Sequence, residues 1–203
     1  MGPDAVYHEP FLGGGAVYFH LRSTGRVTGR AVLSDVNERL INTFVMVRDK
    51  PDSLVRRLAE LARKHSDEEY YLERERYNTR TLTAFELAAL FIYLNKAGFN
   101  GLHRVNSKGH FNVPVGRQAS GPSMPELEHL LACSQALASA DLLTAPFASV
   151  LDRARRGDFI YFDPPYMPVS PTSSFTDYAT EGFGPAEQEL LRDVFVQLDR
   201  RGC

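Results

Sequence analysis

The residues with the clearest chemical potential are Asp163-Pro-Pro-Tyr166, which follow an apolar, β-prone run at 159–162. This order predicts that they lie at the carboxyl end of a buried strand, where α/β proteins bind ligands. Because the second proline fixes the turn and lacks an N–H, the Pro164 carbonyl can point outward as an acceptor beside the Asp163 carboxylate. Two adjacent acceptors suit an amino group, and Tyr166 offers a ring on which a flat heterocycle can stack. The alternative is a proline turn that only ends a strand.

A second candidate site combines a glycine-rich turn with an acidic strand end. The segment 9–15, Glu-Pro-Phe-Leu-Gly-Gly-Gly, follows a short apolar run at 5–8 and precedes a helical pattern at 16–21. Glycines there let a ligand approach the backbone, and the helix start offers free N–H groups. Asp35 ends the next apolar run, where a carboxylate suits the hydroxyls of a ribose. The pattern predicts a site for a nucleoside-containing cofactor, with a plain turn and helix cap as the alternative.

A third feature is a long stretch without acidic residues. No Asp or Glu occurs between Glu86 and Glu126, although the chain has 25 of them. Cations, amides and aromatic rings without acids are typical of surfaces that hold phosphates and recognise base edges. A solvated polar loop is the alternative. The cations are Lys96, Arg104, Lys108 and Arg117, the amides are Asn95, Asn100, Asn106 and Asn112, and the rings are Phe99 and Phe111.

Composition limits the class of protein that carries these residues. With 203 residues, 43% hydrophobic and 24% charged, the chain suits one globular domain with an insertion and excludes wholesale disorder. The net charge of −2 gives no global basic field. Cys133 and Cys203 cannot form a disulfide framework, and the six histidines show no metal-ligand spacing, so we expect no metal. No apolar run approaches the ~18 residues of a membrane span, and no signal-peptide pattern is present, which predicts a cytoplasmic protein without a membrane partner.

The elements that must position these residues are α/β at both ends of the chain with a mainly helical insertion between them. Apolar spacing predicts helices over 40–61 and 85–94, and the charged residues between 56 and 80 indicate a mixed, solvated helical face. The glycine- and proline-rich stretch 95–125 predicts irregular structure with a hairpin turn near 107–109. Further helices are predicted over 126–140, over 147–156, and from Pro185 to a stop at Gly202.

Together these segments resemble the DNA adenine-N6 methyltransferases in which the cofactor motif precedes the DPPY motif. The resemblance covers essentially the whole chain. It implies an α/β fold: the Rossmann-like sheet of S-adenosylmethionine-dependent methyltransferases, with a helical target-recognition insertion ending in a β-hairpin. The implied division is 1–48 and 126–203 for the catalytic cofactor-binding domain and 49–125 for target recognition. The similar segments are 9–15 (cofactor motif), 34–40 (the following acidic motif), 94–117 (the recognition hairpin of enzymes that methylate GATC) and 159–166 (the catalytic motif).

The resemblance also implies roles for single residues. Asp35 would hold the cofactor ribose, Arg104 would recognise a guanine, and Asp163 would lie beside both cofactor and target amino group. The implied catalytic residues are Asp163, Pro164 and Tyr166. The implied cofactor-binding residues are Glu9, Pro10, Phe11, Gly13, Gly15, Asp35, Phe147 and Asp163. The implied DNA-binding residues are Phe99, Asn100, Arg104, Asn112, Pro114 and Arg117.

The implied reaction is methyl transfer from S-adenosylmethionine to the N6 amino group of an adenine flipped out of duplex DNA, within GATC. We expect double-stranded DNA as partner, no metal and a monomer. One alternative is a methyltransferase that acts on an RNA adenine or on a cytosine. The other is a truncated relative that binds DNA or cofactor without turnover. The chain departs from the family pattern in three places. The first two, the lack of an upstream Trp/Gly/Lys motif and the end at Cys203, favour an incomplete fragment of the fold; the third is Pro146, where members often carry Asp.

Overall fold

The computed structural model describes residues 5–117, 121–165 and 183–203. They fold as two compact units, the first within 1–41 and 136–203 and the second within 42–135. These units are defined by packing. The division into cofactor-binding and target-recognition parts therefore stays a prediction about function.

The first unit is built on a sheet of four parallel strands in the order β3-β2-β1-β4. The predicted succession of strand, glycine turn, helix and strand at the start of the chain is confirmed. Strand β1 lies between β2 and β4, so the strand order reverses direction at β1. In parallel α/β sheets, such a reversal opens a crevice at the carboxyl ends of the two strands. The strands are β1 (Tyr7–Glu9), β2 (Ala31–Asp35), β3 (Ala140–Thr144) and β4 (Phe159–Ile160).

Two helices of the first unit lie where the sequence predicts them. Helix α1 (Ala16–Ser23) follows the glycine turn, and α7 (Pro185–Arg201) begins at the predicted proline. Helix α7 ends at Gly202, whose left-handed φ of 81° suits glycine, as predicted. Its buried Val194 and Leu198 pack with Phe147 in an apolar cluster of the first unit.

The structure departs from the sequence predictions around the second half of the sheet. Helix α6 (Leu127–Leu137) confirms the helix predicted over 126–140, but β3 follows in a stretch where no strand was predicted. All five residues of β3 pair with β2, so this strand depends on a partner that is distant in the sequence. The helix predicted over 147–156 is a shorter 3-10 helix, Phe147–Asp152. Strand β4 stops at Ile160, short of the strand predicted over 159–162, and the Tyr161 N–H donates to the His8 carbonyl at 2.9 Å.

The second unit is mainly helical. Its helices are α3 (Pro51–Arg63), α4 (Asp67–Thr79) and α5 (Ala84–Ala97), and α2 (Glu38–Asp49) and α6 each contain a boundary between the units. Leu54, Leu58 and Leu61 are buried along one face of α3, as their spacing predicted. Helix α5 is buried along most of its length, which confirms the prediction for 85–94.

The charged segment between 56 and 80 is not simply a solvated face. Arg57 Nε lies 3.0 Å from Glu86 Oε1, and Arg76 Nη2 lies 3.0 Å from Glu86 Oε2. Arg76 also pairs with Glu73, which is buried. Burial raises the pKa of Glu86, but hydrogen bonds and charges from the two arginines outweigh it and hold the pKa below its usual value. The prediction was wrong here because helix packing encloses these charges.

Among the described residues, no helix is long and apolar enough to cross a membrane.

Candidate active site

The candidate chemical residues of the first unit converge at the carboxyl edge of its sheet. Glu9 is the last residue of β1, Asp35 is the last residue of β2, and Asp163 follows β4 by three residues. Because these strands are parallel neighbours, their carboxyl ends lie at the same edge. The structure thus brings together motifs that are more than a hundred residues apart in the chain.

Backbone groups of the glycine turn orient the Asp35 carboxylate. The N–H of Gly13 donates to Oδ2 at 3.0 Å, and the N–H of Asn37 donates to Oδ1 at 2.9 Å. Gly13 and Gly15 have left-handed φ values of 48° and 68°, which explains glycine at both positions. A Cβ at Gly13 or Gly14 would meet no atom within 4 Å, so the turn leaves open space beside Asp35.

Glu9 is buried next to this turn. The hydroxyl of Tyr7 donates to Glu9 Oε2 at 2.6 Å. Burial raises the pKa of Glu9 to about 7, and the negative charge of Asp163 adds to the rise, while the bond from Tyr7 and the Tyr18 backbone oppose it. The glutamate therefore changes protonation near neutral pH, and its environment includes the predicted catalytic aspartate.

The two predicted cofactor-binding aromatics share one cluster. The ring of Phe11 stacks on that of Phe147, with centroids 5.1 Å apart and planes at 23°. Phe162 and Phe183 meet Phe11 edge-on, at 6.4 and 5.6 Å. Phe147 is buried, and so is Pro10 at the start of the turn. Through the ring of Phe11, the cluster packs against the loop between β1 and α1.

The DPPY motif is only partly described. Asp163 and the second proline are exposed, and Pro164 is half-buried. Tyr166 lies outside the described residues.

A buried hydrogen-bonded pair that the sequence did not reveal joins β1 to the start of β4. His8 Nε2 lies 3.1 Å from Asp158 Oδ2, and Asp158 also accepts bonds from the backbone N–H groups of Val6 and Arg155. Burial lowers the pKa of His8, although the charge of Asp158 opposes that shift. The pair fixes two neighbouring strands whose ends carry the candidate site. No spacing pattern in the sequence pointed to it, because its members are 150 residues apart.

In the second unit, the acid-free stretch forms a hairpin over residues 98–116, as predicted. Two antiparallel bridges, Gly98↔Val115 and Val105↔Phe111, connect its limbs. Gly109 has a left-handed φ of 72° at the turn. The hairpin brings Arg104 and Asn112 together: Arg104 Nε donates to Asn112 Oδ1 at 2.8 Å. Because this bond uses Nε, the two terminal nitrogens of the guanidinium take no part in it.

The other predicted DNA-binding residues lie on the surface of the second unit. Phe99 is 48% exposed, which is high for a phenylalanine, and its N–H donates to the Pro114 carbonyl at 2.9 Å. Asn100 has a left-handed φ of 53°, a conformation that asparagine tolerates better than most residues. Pro114 and Arg117 are exposed. Within the described residues, no group of three or more His, Cys, Asp or Glu could hold a metal ion.

A parallel sheet with a glycine turn and acidic strand ends at its point of reversal defines a Rossmann-like α/β fold of the kind that binds nucleoside cofactors. A family model described as D12 class N6 adenine-specific DNA methyltransferase matches residues 3–203. The chain belongs to the D12 class N6 adenine-specific DNA methyltransferase family, which confirms the fold, the family and the enzyme class expected from the sequence.

Individual relatives agree with this assignment. The chain is 40% identical over 209 residues to the type II methyltransferase M1.LlaDCHI of Lactococcus lactis subsp. cremoris, covering 98% of this chain and 71% of the relative. It is 35% identical to a DNA adenine methylase of Serratia marcescens, covering 94% and 68%. A DNA adenine methylase of Escherichia coli K12 is 36% identical, with 95% and 67% covered.

Proposed function

We propose that this chain transfers a methyl group from S-adenosylmethionine to the N6 amino group of an adenine in duplex DNA, within the sequence GATC. The observation that carries the proposal is the meeting of the glycine turn, Asp35 and Asp163 at the reversal point of the sheet. One edge thus offers a place for a nucleoside cofactor and acceptors for an amino group.

The residues of the first unit suit the adenosyl part of the cofactor. Asp35 is held by the Gly13 and Asn37 N–H groups, so its carboxylate is oriented before any ligand arrives. A carboxylate at this strand end can accept hydrogen bonds from both ribose hydroxyls. The open space at Gly13 and Gly14 leaves room for the methionine end along the backbone. When bound, S-adenosylmethionine would supply a methyl group activated by a sulfonium charge; its transfer would leave S-adenosylhomocysteine, and the methylated nitrogen would release one proton.

Asp163 and the Pro164 carbonyl would hold the target nitrogen. The lone pair of an adenine amino group is delocalised into the ring, which makes the nitrogen a poor nucleophile. Two acceptors on its hydrogens favour a pyramidal nitrogen with an available lone pair, so the residues act by alignment and electrostatics. The base must leave the duplex to reach them. Stacking of Tyr166 on that base is a further part of the proposal.

The 98–116 hairpin is the proposed reader of the GATC sequence. Arg104 presents a guanidinium whose planar fork matches the O6 and N7 atoms of guanine in the major groove. Asn112 fixes one edge of that guanidinium through Nε. Exposed Phe99 and Pro114 offer apolar contacts to bases, and Arg117 offers a charge for phosphate.

The Asp163→Ala variant tests the chemical part of this proposal. We expect the initial rate of methyl transfer to fall by at least about 10²–10³-fold, the usual cost of removing one electrostatic partner of the reacting centre. DNA binding, measured by fluorescence anisotropy of a labelled duplex, should persist because Asp163 is not in the 98–116 hairpin. Asp193→Ala, which removes an exposed carboxylate on α7, is the matched control and should keep full activity. Near-normal turnover of the Asp163 variant would contradict the assignment.

A further inference from the structure

The second limb of the 98–116 hairpin has little sheet pairing to fix its register. Phe111 and Val113 are only 2% and 1% exposed, while Asn112 is half-buried and Pro114 is exposed. Alternate side chains therefore face the unit interior and the surface, as in a strand. Two isolated bridges and single backbone bonds, such as those from Phe99 to Pro114 and from Asn112 to Arg104, connect this limb to the rest of the hairpin, and no continuous strand ladder forms. A shift by one residue would exchange the inward and outward sets, so contacts from outside the hairpin add to the definition of its register.

Helix α4 supplies the missing partner. Asn78 bonds to both backbone groups of Phe111: its Nδ2 donates to the carbonyl and its Oδ1 accepts from the N–H, each at 2.9 Å. Arg74 Nη1 donates to the Val113 carbonyl at 2.9 Å, and the Tyr70 hydroxyl donates to the same carbonyl at 3.0 Å. The helix thereby makes bonds that a neighbouring strand would otherwise make.

The spacing of these bonds matches helix to strand. Tyr70, Arg74 and Asn78 are each four residues apart and lie on one face of α4. Four helical residues rise about 6 Å, and two strand residues advance about 6.6 Å. The distance along α4 from Asn78 to Arg74 therefore matches the distance along the limb from Phe111 to Val113. A one-residue shift of the limb would break these hydrogen bonds.

The register decides where the proposed base-contacting side chains lie. Asn112 is between the two anchored residues, and its side chain bonds to Arg104 Nε. The Asn112 N–H also donates to the Arg104 carbonyl at 3.0 Å. Movement of the limb would therefore move the Arg104 guanidinium, and a misplacement of about 1 Å in such a group is costly.

We propose that Asn78, assisted by Arg74 and Tyr70, is a positioning residue for sequence discrimination: α4 sets the register of the hairpin and thereby the position of Arg104. The inference rests on the proposed function of the hairpin as the reader of GATC. None of the three side chains needs to touch DNA for this role.

The measured quantity is the ratio of kcat/KM for a GATC duplex to that for duplexes with one altered guanine. We expect Asn78→Ala to lower this ratio by at least about tenfold, since both anchors of Phe111 are lost. Tyr70→Phe, which removes one hydroxyl and should fold normally, should lower it by about threefold. In both variants kcat on saturating GATC should change less than the ratio.

Two matched controls in the same unit separate positioning from general stability. Asn42→Ala also removes a side-chain amide bonded to a backbone carbonyl, that of Ala84 at 2.8 Å. Tyr93→Phe also removes a buried hydroxyl, bonded to His65 at 2.9 Å. Both should leave the ratio unchanged. An equal decrease of the kcat/KM ratio in the controls and in the Asn78 and Tyr70 variants would overturn the inference.

Arg104→Ala separates the proposed DNA recognition by the hairpin from the proposed positioning of the hairpin by α4. If it lowers the ratio while Asn78→Ala and Tyr70→Phe do not, the hairpin recognises the DNA but α4 does not set its register, and this inference is wrong. If Arg104→Ala leaves the ratio unchanged, the proposed function of the hairpin itself fails. A lower ratio in Arg104→Ala, Asn78→Ala and Tyr70→Phe, with an unchanged ratio in both control variants, supports the inference.

Discussion

Glu9 shows how a single residue at the sheet edge couples burial to protonation. The sequence identified it only as the first residue of a cofactor motif, with no hint that it is buried against Tyr7. The enclosed position raises its pKa to about 7, so the carboxylate is disfavoured in the folded chain. The place of Glu9 in the motif could be predicted from residue type and spacing. Its raised pKa could not, because it depends on burial, and on the nearby Tyr18 backbone and Asp163 charge, which only the fold brings about.

We predict a specific pH dependence of stability from Glu9. Its folded pKa lies above its unfolded value of 4.5, so the stability it contributes is complete below that value and is lost as pH rises through about 7. A rise of that size corresponds to a loss on the order of 3 kcal/mol. Glu9→Gln, which can still accept the Tyr7 bond, should abolish this part of the decline between pH 5 and pH 8.

Urea unfolding of the two proteins at both pH values tests this. Glu189→Gln, an exposed site on α7, is the control and should follow the unmodified chain. Identical pH dependence in the Glu9 variant and the unmodified chain would contradict the assigned burial effect.

At the scale of elements, periodicity and turn chemistry predicted the pieces with strong local signals. The first strand, turn, helix and strand, the buried helix α5, the hairpin and the ends of α7 belong to this group. Strand β3 escaped prediction because its pairing with β2 comes from 31–35, far away in sequence. The sequence predicts a solvated surface for the charged helix α4, although Tyr70 and Tyr77 are buried and its polar side chains bond to the 98–116 hairpin. The proposed positioning role of α4 depends on hydrogen bonds to the backbone of the hairpin, and such bonds leave no pattern in residue type.

The base of the hairpin depends on two glycines for close backbone packing. A Cβ on Gly116 would lie 2.9 Å from the Gly98 carbonyl and 3.1 Å from the Ala97 carbonyl. We expect Gly116→Ala to lower the free energy of unfolding by about 1–3 kcal/mol, the usual cost of overpacking. Gly14→Ala, whose Cβ would meet nothing within 4 Å, should leave it nearly unchanged. Chemical denaturation of the two variants measures this, and equal stabilities would show that the hairpin base tolerates the added methyl.

At the scale of the whole molecule, the order of motifs along the chain was the most informative signal. The glycine turn, acidic strand end, acid-free hairpin and DPPY segment follow one another along the chain, and the family model matches residues 3–203, which include all four. The edge at which Glu9, Asp35 and Asp163 meet follows from the parallel order of the strands. The order of motifs could not predict the contacts that hold them in place. These are the His8–Asp158 pair in the first unit and the hydrogen bonds from α4 to the hairpin in the second.

Identification of the methylated nucleoside tests whether this chain methylates the N6 amino group of adenine within GATC, as we propose. The purified chain is incubated with labelled S-adenosylmethionine and a GATC duplex, and the digested DNA is analysed by mass spectrometry. We predict labelled N6-methyladenine, lost when GATC is scrambled. Labelled methylcytosine, methyladenine that persists in the scrambled duplex, or no labelled nucleoside from protein that binds both substrates would contradict the claim.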